Sequence, residues 1–244
     1  MKVLDYIHST LRSHKMHMTL IDPASQKPEK AGEIAGIAHR LRTDAFMVGG
    51  STGVTQANLD ATVEEIRSAA PGKYIIHFPA RAKVLSDKVD AIYFMSYLNS
   101  KNVRNIVGEQ VAGAPIVKKF GIEPISMGYV VLEPGMKVGE VGEANLLRRD
   151  DIQTAKAYSL ATQFFGMQLL YLEAGSGADE TVPPEMVSAV KKEISIPLIV
   201  GGGIRNGSRA KALADAGADV LVTGTLVEMA DFEARLKEII GAIR

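Results

Sequence analysis

The chain has 244 residues, 46% of them hydrophobic, with 28 basic and 28 acidic side chains and no cysteine. That length and apolar share can bury a large core and suit one α/β barrel domain. A zero net charge without any dense Lys/Arg cluster argues against a nucleic-acid partner, and the missing cysteines exclude disulfides, thiolate metal sites and a Cys nucleophile.

The N-terminal stretch MKVLDYIHSTLRSHK is charged throughout, so it is no signal peptide. No apolar run is long enough to span a bilayer, and a soluble, cytoplasmic protein is expected. The first thirteen residues read as an extra helix beneath or beside the main fold. The first apolar run, MHMTLI (16–21), stops at Asp22-Pro23, and the helical pattern after it places Ile34, Ile37, Ala38 and Leu41 on one side. The second run, AFMV (45–48), ends in two glycines followed by Ser51 and Thr52, and Leu59, Val63 and Ile66 mark the next helix. The third, YIIHF (74–78), leads into PARAKVLSDKVD, a connection read as too short for a proper helix.

The fourth and fifth runs are AIYFM (91–95) and EPISMGYVVL (123–132), with RRDDIQTAKAYSLATQFF reading as the helix that follows. The sixth, QLLYLE (168–173), opens into YLEAGSGA and then a helix that starts with prolines, PPEMVSAVKKEI. The seventh, IPLIV (196–200), is followed by Gly201, Gly202 and Gly203 and by a helix closing at Gly217. The eighth, DVLVTG (219–224), precedes Thr225. Short runs that are apolar almost throughout fit strands buried on both faces of a parallel sheet. Eight of them alternating with helices predict a (β/α)8 TIM barrel, one domain over 1–244. The alternative is an open doubly wound sheet, but GGGIRNG does not match the G-x-G-x-x-G that a dinucleotide site would need.

In such barrels the active site lies at the C-terminal ends of the strands. The ends of runs seven and eight supply Gly201, Gly202, Gly203, Gly224 and Thr225, the backbone-rich composition of an anion cradle where barrels commonly hold phosphate. Run six adds Tyr171, Ser176 and Gly177, and it places Glu173 where a carboxylate can take a hydroxyl proton as a general base. The competing reading pairs Glu173 with a base such as Arg205. Asp22 with Ser51 or Thr52 suits Mg²⁺, which takes its remaining oxygens from water and phosphate; the competing reading has Asp22 capping the next helix. Phe78, Tyr93, Phe94, Tyr97 and Tyr129 cluster in runs three to five, some for helix packing and some for an apolar groove at the mouth. The five histidines form no metal pattern and are read as structural or surface residues.

Taken in order, LIDP, GGST, SYLNS with NIVGEQ, YLEAGSGA, VGGGIRNG and VTGT resemble the geranylgeranylglyceryl phosphate synthase family over nearly the whole chain. The resemblance implies a barrel whose third helix is replaced by an extended segment. It implies prenyl transfer from geranylgeranyl diphosphate to the 3-hydroxyl of sn-glycerol 1-phosphate, with Mg²⁺, in archaeal ether-lipid synthesis. Carried over by position, Tyr171, Leu172, Glu173, Ala174, Gly175, Ser176, Gly177, Gly202, Gly203, Gly224 and Thr225 would hold glycerol phosphate, with Glu173 and Tyr171 at the chemistry and Asp22 and Ser51 at the metal. Many relatives carry a lysine where this chain has Leu20, so one charge contact is absent. The same likeness implies a homo-oligomer and passing contact with a membrane surface. A longer prenyl donor, or an isomerase-type reaction on a sugar phosphate, are the other readings of these strand ends.

Overall fold

A computed structural model describes residues 1–244. After α1 (Val3–Leu11) come β1 (Met16–Ile21), α2 (Pro28–Arg40), β2 (Ala45–Val48), α3 (Gln56–Ala69), β3 (Tyr74–His77) and β4 (Ala91–Tyr97). A π-helical turn over Arg104–Gly108 runs into α4 (Glu109–Phe120), followed by β5 (Glu123–Val131), α5 (Met136–Val141), α6 (Ile152–Phe164) and β6 (Leu169–Glu173). The chain ends with α7 (Pro184–Glu193), β7 (Leu198–Gly201), α8 (Gly207–Asp215), β8 (Val220–Thr223), a 3₁₀ turn over Thr225–Glu228 and α9 (Phe232–Ala242). All eight strands are parallel, and β8 pairs back onto β1, closing the expected barrel.

Period-two alternation sorts the side chains. Met16, Met18, Met47, Ile76, Ile125 and Ile199 fill the barrel interior, while Ile21, Phe46, Val48, Leu170, Val200 and Leu221 pack outward beneath the helices. Each fully enclosed aliphatic side chain stabilises the fold by roughly 1.5–3 kcal/mol. Helix α1 closes the bottom: Val3 and Ile7 are buried with the interior side chains, and the Glu123 carboxylate, at the start of β5, accepts from the Val3 and Leu4 amides at 2.6 and 3.2 Å. An acid at a helix N-terminus satisfies free amides and complements the helix dipole. The N-terminal ends of the strands are thus covered, and the C-terminal ends are left for chemistry.

No helix stands between β3 and β4, as the short third connection led us to expect. These two strands also share only two register positions, Ile76 with Ala91 and His77 with Ile92, whereas β4 and β5 share seven. Tyr93 to Tyr97 therefore rise beyond their neighbour on that side. No helix of the protein is long and apolar enough to cross a membrane.

His17 and His77 lie on the outward faces of β1 and β3 and are enclosed. His17 meets the hydroxyls of Thr43 and Thr223 at 2.9 and 3.0 Å, while Nδ1 of His77 has no partner. Burial, only partly offset by Asp44 for His17 and Asp60 for His77, lowers both from 6.5 to about 4. Below pH ~6.5 the unfolded chain gains protons that the folded chain refuses until near pH 4, so stability falls as acid is added across that window. We expect Tm to drop between about pH 7 and 4.5, and His77→Leu to make that drop shallower by removing one of the two sites. Identical slopes in the two proteins would take His77 out of this account.

Candidate active site

Two cavities meet at the C-terminal mouth. The smaller is lined by Tyr171, Ser176, Gly177, Gly202, Gly203 and Arg205. The larger is a cleft that holds Asp22 and Ser51 at one end and runs past Tyr93, Phe94 and Tyr97 to Leu85, Gly113 and Val117. Leu20, Glu173, Ser176, Gly224 and Thr225 line both cavities and form the seam between them. By extent of wall the cleft is the larger of the two, with 32 lining residues against 15 for its neighbour. It leaves the barrel where β4 rises above β3, and it is walled by interior side chains (Tyr93, Met95) and outward ones (Ile92, Phe94) alike.

Glu173 is the carboxylate at the seam. It is 6% exposed and has no cationic partner. Its Oε1 accepts from the Gly175 amide at 2.7 Å and its Oε2 from the Tyr129 hydroxyl at 3.3 Å. Arg205, the alternative partner in the sequence reading, instead donates to the Gly177 carbonyl at 2.8 Å and pairs with Asp179. Burial pushes the Glu173 carboxyl above its ordinary value, while the Gly175 amide and the nearby Tyr171 and Tyr129 hydroxyls pull it part of the way back. Burial and the charge of Glu173 raise both tyrosines well above the usual phenol range, so they remain hydrogen-bond donors.

These rings belong to one cluster. Phe78 stacks on Tyr171 at 5.8 Å between centroids, and Tyr129 meets Tyr97 at 4.7 Å and Tyr171 at 5.0 Å, both tilted edge to face. Such pairs prefer these offset and edge geometries. All five aromatics grouped in the sequence line the cleft, including Phe94, which faces outward from β4. The bond between Tyr129 and Glu173 was not foreseen; the two are 44 residues apart, and only the β5–β6 register, with Tyr129 beside Tyr171 and Val131 beside Glu173, brings them together.

The glycines are there because other atoms come close. A Cβ on Gly202, whose φ is +86°, would lie 2.6 Å from Oε1 of Glu173 and 2.7 Å from the Gly175 amide. A Cβ on Gly50 would collide with the Asp22 carboxylate. Glycine alone admits that backbone angle and that approach without strain. Ser176 and Thr225 share a 2.6 Å hydrogen bond that joins the β6 and β8 loops over the smaller cavity. Leu172 and Ala174 alternate away from the mouth into the helix layer, so their side chains do not face either cavity.

Asp22 does not cap α2, whose N-cap is Lys27; it makes a local turn instead, Oδ1 accepting from the Ala24 amide at 2.8 Å. It is half-buried in the cleft wall and has no basic side chain beside it. Burial raises its carboxyl, and the Ala24 amide and Ser25 hydroxyl offset only part of that rise. A desolvated carboxylate lacking a cation fits a hard divalent ion that arrives with an anionic ligand and keeps water in most of its coordination sphere. No group of three or more acidic or histidine side chains gathers there, so the protein alone would supply few of the ligands.

A (β/α)8 barrel with a glycine-lined cavity and a long apolar cleft meeting at one buried carboxylate defines an enzyme site for two ligands, one compact and one elongated. The chain belongs to the PcrB family, whose profile matches residues 9–243, and it is a prenyltransferase of that family. Geranylgeranylglyceryl phosphate synthase of Pyrococcus horikoshii is 50% identical over 100% of this chain and 95% of its own length. The enzyme of that name from Methanosarcina acetivorans is 51% identical, covering 94% of each chain. The crystal structure of (S)-3-O-geranylgeranylglyceryl phosphate synthase from Thermoplasma acidophilum in complex with substrate sn-glycerol-1-phosphate superposes with a TM-score of 0.96 at 45% identity, over 100% of this chain and 98% of that one. The family resemblance read from the strand ends is thereby established.

Proposed function

We propose that this protein joins geranylgeranyl diphosphate to the 3-hydroxyl of sn-glycerol 1-phosphate in a Mg²⁺-dependent reaction. The observation that carries the reading is the seam: Glu173 lies between a compact glycine-lined cavity and a long cleft walled by aromatic and aliphatic side chains. The glycerol phosphate sits in the smaller cavity, its phosphate against the Gly177, Gly202, Gly203, Gly224 and Thr225 backbone and the Ser176 hydroxyl. The prenyl tail lies along the aromatic cleft, where each buried CH₂ stabilises binding by about 0.8 kcal/mol. Asp22 and Ser51 would hold the metal at the diphosphate end.

In the reaction the allylic C1–O bond breaks, diphosphate leaves, and the glycerol 3-oxygen forms the new ether bond to C1. Mg²⁺ held at Asp22 and Ser51 would supply neutralisation of the diphosphate charge. Glu173 orients the glycerol hydroxyl and accepts its proton. Tyr129 and Tyr171 keep that carboxylate aimed, and the enclosing rings keep water from capturing the developing allylic cation. Holding both ligands in line across the seam contributes much of the rate. A lipid product implies passing contact with a membrane surface, and homo-oligomerisation and a cytoplasmic location belong to the same reading.

The direct test incubates the protein with Mg²⁺, labelled sn-glycerol 1-phosphate and geranylgeranyl diphosphate, and identifies the organic-phase product by mass. We expect the prenyl ether phosphate. Label confined to the aqueous phase, with a longer donor equally inert, would overturn the reading.

Glu173→Gln should lower kcat by about 10²–10⁴, the usual contribution of a positioned general base, with little change in KM for glycerol phosphate. As pH falls through the raised Glu173 pKa the base becomes protonated, so kcat/KM should decline on its acid side above the ordinary glutamate value of about 4.3. An acid limb that survives in the variant would assign the proton transfer to another group. Asp22→Asn should remove the dependence of donor binding on Mg²⁺ in calorimetry; equal donor affinity with and without the ion in both proteins would reject the metal assignment.

A further inference from the structure

The polar residues of SYLNS and NIVGEQ are left without a task by the chemistry above. Most of them tie neighbouring elements together: Ser96 Oγ donates to the Ile106 carbonyl at 2.7 Å, Asn105 Nδ2 to the Gly142 carbonyl at 2.9 Å, and Gln110 Nε2 to the Met95 carbonyl. Glu109 does something different. It is the first residue of α4, its side chain is 11% exposed, and it reaches across the cleft. Its Oε1 accepts from Arg104 Nε at 2.6 Å and from Arg81 Nη1 at 3.3 Å, and its Oε2 accepts from the Ala82 amide at 2.8 Å.

Arg104 stands on the same side as Glu109. Arg81 and Ala82 belong to the helix-free segment between β3 and β4. The far half of that segment is tied to α3: Ser86 donates to Asp60, and Arg67 donates to the Lys88 carbonyl at 2.8 Å. The near half is held to α4 by Glu109. Arg81, Ala82 and Glu109 all line the cleft, next to the stretch where β4 has no β3 partner. Burial alone would raise the Glu109 carboxyl; the Ala82 amide and the two guanidiniums outweigh it and hold it below its ordinary value, as expected of a carboxylate engaged on several sides.

We propose that Glu109 is a positioning residue for the elongated substrate: it straps residues 81–82 to α4 and so fixes the cleft wall that the missing third helix would otherwise supply. It touches no reacting atom. The strap is read from geometry alone, and its effect on the prenyl donor rests on the function proposed above. Without the strap the near half of the segment keeps only its apolar packing on α4, where Ala82 and Leu85 lie beside Gly113, two guanidiniums lose their shared counter-charge beside an apolar channel, and the wall must be ordered each time a tail binds. Ordering a loop on binding weakens affinity for the ligand that needs it and leaves the other ligand untouched.

The test pairs hydrogen–deuterium exchange with steady-state kinetics on the full-length protein, its Glu109→Ala and Glu109→Gln variants, and Arg81→Gln, which removes one partner and leaves α4 intact. Glu109→Ala should speed exchange in the peptide covering 79–86 and raise KM for geranylgeranyl diphosphate, each by about tenfold, the scale of losing one charge-assisted hydrogen bond. Its kcat and its KM for sn-glycerol 1-phosphate should stay at wild-type values. Glu109→Gln and Arg81→Gln should move the same two quantities in the same direction by less. Unchanged exchange in all three variants overturns the strap. Faster exchange with an unchanged donor KM overturns the positioning role. If the wild type turns over no prenyl donor, the functional reading fails and the donor role fails with it, while exchange still decides the strap.

Discussion

Glu173 carries its carboxylate into a place where charge is costly, at 6% exposure with no base beside it. Burying an unpaired charge is unfavourable unless hydrogen bonds compensate. Here one oxygen takes an amide and the other a phenol, and both donors are themselves fixed, Gly175 by the turn after β6 and Tyr129 by its strand and its ring contacts. That need organises the mouth. Gly202 has to lack a side chain because Oε1 of Glu173 occupies the space, and the tyrosines have to stay protonated because they donate toward it. A carboxylate so held has a raised pKa and a defined direction, the two properties asked of a general base.

The second constraint is the poor match between β3 and β4. A regular barrel covers each strand pair with a helix, and here both the helix and most of the pairing are missing at one position. The consequence is a breach in the wall, through which the cleft passes from the barrel interior into the helix layer. The aromatic side chains of β4 gain their exposure to the cleft from this breach, and so does Phe94, which in an ordinary barrel would face a helix. Specificity for an elongated ligand is built by leaving an element out, and the fold compensates with side-chain ties such as those of Glu109.

The barrel was legible in the sequence because its signal is local: eight apolar runs, each ending in small or polar residues, can be recognised one at a time. The same holds for the glycines after β7 and for Glu173 at the end of β6. The facing of Leu172 and Ala174 was also within reach, since period-two alternation from Tyr171 and Glu173 sends them outward. The helix α4 was harder, because its entry is a π-helical turn and Pro115 interrupts its interior, so no clean 3.6-residue pattern marks it. The partners of Glu173 and Glu109 were beyond a linear reading altogether. Tyr129 and Arg81 lie 44 and 28 residues away from them, and only strand register or a segment folded across the cleft makes them neighbours.

The charge balance of the two cavities bears on how an anionic ligand is held. The basic side chains that line them, Arg81 and Arg205, are already engaged, the first with Glu109 and the second with the Gly177 carbonyl and Asp179. At the seam, lining both cavities, stands the apolar side chain of Leu20. An anion there is left with backbone amides, hydroxyls and whatever cation it brings. Amides freed by glycine-rich turns are fixed dipoles that need no counter-ion and do not compete for Glu173. A lysine at position 20 would put a cation in the two cavities that Glu173 lines, and a nearby cation lowers a carboxyl pKa that burial has raised. On the proposed reading, an apolar wall at the seam therefore keeps Glu173 basic and leaves charge neutralisation at the diphosphate end to Asp22 and its metal.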